Sequence, residues 1–330
     1  MPTKFLGRSQ TLGYAKDSAR NTITTTATKF VKFKELEINV KNEYFEDDSA
    51  FGRREGLLGK EIAKQWAEGS LEGYLDVDGL IGELLLHTFG SVTTAQPGTL
   101  GAYTHTFNTF LNQTDLATFT LQYTKSEIGN KRLKGGTIKS LEISFTDKEC
   151  TFKAEIMGLA EEAGDVQTVV ITKPTRYLLS KLLTSKFAAN IAGLGAGTAM
   201  QITKLTIKID TGAEADFALG SLNPIDNLAG TAKVEFSFAG LVRNSVWDAA
   251  NLNNTKQAYE FDCNMTNLAV LGTSTLYPRL RVRIPPSAVE VTTKIEKDGF
   301  VAFEAKGNAE YSVTDSYMTE ILLQNTTISY

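Results

Sequence analysis

The chain predicts a mainly β fold: two tandem β-sandwich or barrel units, each with one flanking α-helix. Three observations carry this. The first is a hairpin pattern that occurs twice. From Gly136 to Ala160, Leu141, Ile143 and Phe145 alternate with polar residues. Asp147-Lys148-Glu149 turns, and Phe152, Ala154 and Ile156 alternate back against Lys153 and Glu155. From Val289 to Ala309, Val291, Thr293 and Ile295 alternate, Lys297-Asp298-Gly299 turns, and Val301, Phe303 and Ala305 return. A period of two puts one set on a buried face and the other on an exposed face. The second observation is a shared irregularity. Phe33 is followed out of phase by Leu36, Ile38 and Val40, and Ile202 by Leu205, Ile207 and Ile209. The phase change near Lys34-Glu35 predicts a β-bulge. The third is one helix signal in each half.

Composition sets the frame. The chain has 330 residues, 42% hydrophobic and 22% charged, which fits a globular protein with a real core. Its 34 basic and 38 acidic residues give a net charge of −4. That argues against a general nucleic-acid binder that works by neutralising phosphates. It leaves room for a protein past which DNA slides. Two cysteines, Cys150 and Cys263, are too few for a disulfide framework and sit at alternating strand positions. The first residues lack the apolar run of a signal peptide, and no apolar run reaches membrane length, so no membrane insertion is expected. A cytoplasmic protein, or one assembled in the cytoplasm, is the expectation.

In chain order, residues 1–27 are polar, rich in Thr and Ser, and read as an N-terminal arm. The first unit spans 28–162. Its first strand leads into a long loop, Lys41 to Lys60, in which Tyr44 and Phe45 would be wasted in solvent. The next strand carries Ala67, Gly69, Leu71 and Gly73 on one phase. A helix follows, with Asp78 placed to cap, Leu80, Ile81, Leu84 and Leu85 as its face, and Gly90 to end it. Tyr103, His105 and Phe107 mark another strand, and Phe119, Leu121 and Tyr123 the next. Residues 163–200 read as a linker. Leu178, Leu179, Leu182 and Leu183 are spaced for a helix there, and GLGAGTA reads as a flexible link.

The second unit, 201–330, repeats the order. A long loop runs from Thr211 to Gly230 and contains Phe217 and Leu219. Val234, Phe236, Phe238 and Gly240 match the second strand of the first unit. SVWDAANL is a short helix with Val246 and Trp247 buried. Tyr259, Phe261 and Cys263 match Tyr103, His105 and Phe107, while Leu280, Val282 and Ile284 match Phe119, Leu121 and Tyr123. Loops this long inside compact domains usually carry function, so both are expected to dock on neighbouring subunits.

Sites of chemistry do not emerge. Neither His87 nor His105 has a Cys or carboxylate at metal-ligand spacing, and both read as structural. GLGAGT at Gly193–Thr198 resembles a phosphate loop, but a strand follows where a helix is needed. Gly59-Lys60 is followed by Glu61 instead of Ser or Thr. Lys131, Arg132 and Lys134 read as a solvated loop, since no stacking aromatics are interleaved. No catalytic, cofactor or metal residue is expected. The polar phases of the two first strands carry Glu35 and Glu37, and Lys208 and Asp210. They form either an ordinary solvated sheet face or the lining of a wet interior.

Some segments resemble a known family. GYLDVDGLIGELLLHTFGSVTT, YTHTF, GGTIKSLEISF and TFKAEIMGLA are similar to segments of the tail tube proteins of long-tailed, siphovirus-type bacteriophages. The resemblance covers about 28–162 closely and about 200–330 at the level of pattern. It implies a tail-tube-like structural protein without cofactors, whose rings stack into a hollow tube through which DNA is ejected. A tandem chain implies three copies in a pseudo-hexameric ring. Glu35, Glu37, Lys208 and Asp210 become candidate lumen residues. Tyr44, Phe45, Arg53, Arg54, Phe217 and Leu219 become candidates for contacts between rings. The implied partners are the chain itself, the tape measure protein, the tail terminator, baseplate or distal tail proteins, and double-stranded DNA in passage. The implied place is the virion tail. A carbohydrate-binding or adhesive β-sandwich is the alternative, as is a related secretion-tube or baseplate ring protein.

Overall fold

Alternation of apolar and polar residues is realised as long antiparallel strands. The structure, a computed structural model, describes residues 10–47, 59–97, 101–111, 116–125, 129–169, 176–241, 255–295 and 301–330. Through the first part run β1 (Leu12–Lys16), β2 (Lys29–Phe30), β3 (Glu35–Asp47), β4 (Gly59–Tyr74), α1 (Ile81–Phe89), β5 (Thr93–Ala95), β6 (Tyr103–Phe107), β7 (Phe119–Lys125), β8 (Gly129–Phe145), β9 (Cys150–Gly158) and β10 (Ala160–Ala163). Then come β11 (Leu183–Ala188), β12 (Thr198–Met200), β13 (Lys204–Asp210), β14 (Glu214–Asp216), β15 (Asp226–Leu228) and β16 (Lys233–Leu241). The chain finishes with β17 (Gln257–Asn264), β18 (Arg279–Ser287), β19 (Val289–Ile295), β20 (Val301–Asn308) and β21 (Glu320–Asn325).

Two large sheets result, and neither closes into a barrel among the described residues. The first contains an eight-strand run in the order β3-β4-β9-β8-β13-β16-β20-β19, antiparallel throughout. Its inner phase is apolar. Leu71, Leu141, Ile143, Phe152, Ala154, Leu205, Ile207, Phe236, Phe238 and Phe303 are buried in one continuous core. Each large side chain here contributes roughly 2 kcal/mol by leaving water. The outer phase is polar. The strand β8 is long enough to serve twice: its second half pairs with β9 and β13, and its first half with β7 and β10. The second sheet runs β12-β11-β17-β18-β21-β6-β5 and mixes strands from both ends of the chain.

Both sequence-predicted hairpins are present, as β8–β9 and β19–β20. The turn of the second, 296–300, lies outside the described residues. Thr293 of β19 and Val301 of β20, on its inner phase next to that turn, are exposed, while Val289 and Val291 are buried. The helix α1 ends where expected. Gly90 takes the left-handed conformation (φ 82°) and its N–H closes on Leu86 O. Asp78 does not cap it. Its carboxylate is buried and instead accepts from Arg176 Nη1 (2.5 Å) and Thr326 Oγ1 (2.8 Å). The second expected helix, SVWDAANL, lies outside the described residues.

Several expectations are corrected. Residues 10–27 are not a detached arm. β1 lies in the first sheet between β2 and β7, with Leu12, Tyr14 and Ala15 buried. No helix forms over Leu178–Leu183. A short 3-10 turn (Ser180–Leu182) leads into β11, and the four leucines reach the core from an irregular stretch, that turn and the first residue of the strand. GLGAGTA is a 3-10 turn and β12, paired to β11, rather than a flexible link. Lys131, Arg132 and Lys134 lie in β8, where Arg132 pairs with Glu162 at 3.1 Å. The bulge expected near Lys34-Glu35 lies just outside the ladder, which starts at Glu35; the register shifts instead at Glu43/Tyr44, where Ala63 of β4 is the extra residue. The strands β6 and β18 are not what the sequence matched them to. The strand β17 pairs with β11 and β18 as β7 pairs with β1 and β8, so β7 and β17 are counterparts. Likewise β1–β2 and β11–β12 occupy equivalent places, which makes the expected arm and linker the same element of the repeat.

Candidate functional site

The outer face of the eight-strand run holds the four residues singled out as candidate lumen lining. Glu35 and Glu37 are exposed on β3, facing Glu72 and Ser70 of β4. Lys208 and Asp210 are half-buried on β13. Lys208 stands between Glu142 of β8 and Glu235 of β16, and Asp210 faces Lys233. The two pairs share one face four strand spacings apart, about 19 Å. One row between them mixes signs (Glu35, Glu72, Lys153, Glu142, Lys208), and the next carries carboxylates and hydroxyls (Glu37, Ser70, Glu155, Ser140, Asp210). Lys34 bridges Glu72 (3.0 Å) and Glu149 (3.4 Å), which draws its proton affinity above the ordinary lysine value. Lys139 lies 3.7 Å from Glu68. These pairs are exposed and weak one by one; their effect is to leave the face hydrated and without a strong single-sign field.

The first expected loop is mostly strand. β3 and β4 run on past the core as a long two-stranded arm, and Tyr44 and Phe45 lie on it. Phe45 is 62% exposed and Tyr44 44%, with Ile62 also exposed. Lys60 sits 4.2 Å above the Tyr44 ring and pairs with Glu46 at 2.7 Å. Arg53 and Arg54 lie outside the described residues.

The second expected loop folds differently. It forms the small β14–β15 hairpin and lies back on the first half of its own chain. Phe217 packs edge-on against Trp66 at 6.0 Å, and Lys64 lies 5.2 Å from its ring. Gln65 N–H donates to Leu222 O at 2.8 Å. Arg20 clamps the base. Its Nε lies 3.0 and 2.9 Å from the two Asp226 oxygens, and its Nη atoms donate to Leu116 O and Asn227 O. Burial pushes the Asp226 carboxyl up, but hydrogen bonds from Arg20 and Asn21 outweigh it and hold the group below the usual range. Leu219 is fully exposed.

Both histidines are packed and bonded. His87 Nδ1 donates to Ala117 O (2.8 Å), so its Nε2 accepts from the Tyr14 hydroxyl (2.6 Å). Burial lowers the His87 pKa to about 4. His105 meets Thr94 through Nδ1 and Thr327 O through Nε2. Among the described residues, no group of three His, Cys, Asp or Glu could hold a metal ion, and no helix is long and apolar enough to cross a membrane. The prominent features are surfaces: a polar sheet face, two end strands and an apolar arm.

A family model described as phage tail tube protein matches residues 7–312. The chain belongs to the phage tail tube protein family. No curated protein matches it. As a tail tube protein it is a structural component of the phage tail, a role that implies self-association. Sequence reasoning missed two features of this tail tube protein. The arm β3–β4 was hidden because both its phases are exposed, so alternation is lost. The Arg20–Asp226 clamp joins residues about 200 apart and leaves no local signal.

Proposed function

We propose that three copies close edge to edge into a pseudo-hexameric ring, and that rings stack into the hollow tail tube through which double-stranded DNA is ejected. One observation carries this reading. The two halves of the chain contribute four strands each to one continuous eight-strand run, joined at β8·β13, and among the described residues that run finishes at β3 on one side and β19 on the other. A sheet built by adding equal four-strand blocks continues by adding another copy, which also covers edges that would otherwise invite aggregation. Exposed Tyr44, Phe45 and Leu219 then make ring-to-ring contacts. The tape measure protein fills the lumen before DNA does, and tail terminator and distal tail proteins cap the ends. Rings assemble in the host cytoplasm.

The polar face lines the lumen in this reading. Interleaved charges keep phosphate from sticking, and Glu35 and Glu37 add repulsion. Glu35→Lys, outside the strand pairs that join copies, leaves tubes intact and slows DNA delivery; unchanged infectivity removes Glu35 from the lumen. The ring reading is tested by electron microscopy and solution mass of the purified chain. Hollow tubes, or rings of three chains, are expected. A chain that stays monomeric at high concentration, even with isolated tail-initiation complexes, overturns it. Binding in a glycan screen by such a monomer turns the reading to an adhesive module.

A further inference from the structure

The two halves repeat residue for residue across the eight-strand run. In the first half Phe152 faces Gly73, and a Cβ at Gly73 would strike the Phe152 ring. In the second half Phe303 faces Gly240 in the same way. From that anchor the ladders agree. Ala154 faces Leu71 as Ala305 faces Phe238. Leu71 faces Leu36 as Phe238 faces Leu205. Ile143 faces Phe152 as Thr293 faces Phe303. Hence β3, β4, β9 and β8 correspond to β13, β16, β20 and β19. The halves are joined at β8·β13, the last strand of one block to the first strand of the next. The chain's end strands, β19 and β3, are a last strand and a first strand.

We infer that β19 of one copy pairs antiparallel with β3 of the next copy in the register that β8 and β13 use within the chain. The inference rests on the ring reading above and names its partner as a second copy joined head to tail. The internal junction sets Thr206 opposite Ser144, Lys208 opposite Glu142 and Asp210 opposite Ser140. Carried through the repeat, Glu37 stands opposite Lys294 of the next copy, Asn39 opposite Thr292, and Lys41 opposite Glu290. All six residues are exposed on the isolated chain. Two opposite-charge pairs thus flank one neutral pair, in the arrangement that stabilises antiparallel neighbours. Val40 meets Val291 on the inner phase, and Val40, 39% exposed in the single chain, becomes covered. A contact between two different edges of the same chain is the kind that closes a ring. Pairing of β3 with a second β3 would also set Glu37 against Lys41, but it yields a two-fold dimer and leaves β19 at an edge.

Disulfide trapping under assembly conditions decides between these. Facing residues of an antiparallel pair lie about 4.5–5.5 Å apart at Cα, within disulfide reach. The native Cys150 and Cys263 are buried. In full-length Asn39→Cys, Thr292→Cys protein, mild oxidation is expected to give a ladder of two and three chains that collapses on reduction. The pair Glu142→Cys, Lys208→Cys is the internal control and closes within one chain. The shifted pair Asn39→Cys, Lys294→Cys is expected to give about tenfold less ladder. Exchanging charges on one edge, Glu37→Lys with Lys41→Glu, raises the concentration needed for assembly about tenfold, and adding Glu290→Lys with Lys294→Glu restores it. Dimers from Asn39→Cys alone, or tubes seen by microscopy without the ladder, overturn the register while leaving the ring reading in place. Absence of any assembly overturns the ring reading and this inference with it.

Discussion

The connection after the first strand of each repeat behaves in opposite ways in the two halves. After β13 the chain folds back within its own molecule: Phe217 rests on Trp66 and Arg20 holds Asp226. After β3 the equivalent connection extends as a two-stranded arm with Tyr44, Phe45 and Ile62 exposed. Fold and position are shared, so the difference lies in what is available to cover the apolar residues. The second half has the first half beside it. In the proposed ring the first half has only another copy, and the arm is the part of the molecule whose stability that assembly would complete.

The largest effect expected from breaking this contrast is on assembly. Tyr44→Ser with Phe45→Ser abolishes tube formation, while the melting temperature of the single chain stays put, because exposed substitutions change stability by only about 0.5 kcal/mol. Loss of monomer stability equal to the loss of assembly would show that the arm packs on its own chain. Next comes Arg20→Ala. It removes the guanidinium from Leu116 O, Asn227 O and Asp226, which keeps only the donors of Asn21 and Asn227, and costs about 2 kcal/mol in denaturant unfolding. Acid acts on the same clamp. A carboxyl held below its unfolded value adds stability above that value, and the stability is lost as pH falls through the lowered one. Wild-type protein should loosen the 211–230 segment only below about pH 4, read by Trp66 emission in a Trp247→Phe background. Arg20→Ala should be loose already at neutral pH. The smallest effect is that of Phe217→Ala, about 1 kcal/mol for a half-buried edge-on ring pair, seen as faster hydrogen exchange in β14–β15 with tubes still forming.

The strands of the core were legible because one face is buried. Leu141, Ile143 and Phe145 must alternate with Ser140, Glu142 and Ser144 to satisfy both faces, and Gly90 marks the helix end through its backbone freedom. Legibility failed where that constraint lapses. Tyr44 and Phe45 read as loop because both phases of the strand are exposed there, so alternation is lost. Leu178, Leu179, Leu182 and Leu183 fit a helical stripe and also fit a chain that turns once and enters β11 over the core. Strand partners were invisible for another reason. Alternation says which face is buried and never which strand lies alongside, so β7 was matched to β18 although β17 holds its place. Of the candidate surfaces, the placement of Glu35, Glu37, Lys208 and Asp210 on one face was readable from strand phase. The Arg20–Asp226 clamp and the residue-for-residue junction were not, since both depend on contacts between distant parts of the chain.

The central claim is that copies of the chain extend one sheet and turn its polar face inward. A cryo-electron microscopy reconstruction of assembled tubes tests it most directly. The account predicts β19 of one copy beside β3 of the next, with Glu37, Glu142, Lys208 and Glu235 facing the channel. A tube whose channel is instead lined by the Arg279, Arg281 and Arg283 row of β18, with the eight-strand face outside, would contradict it.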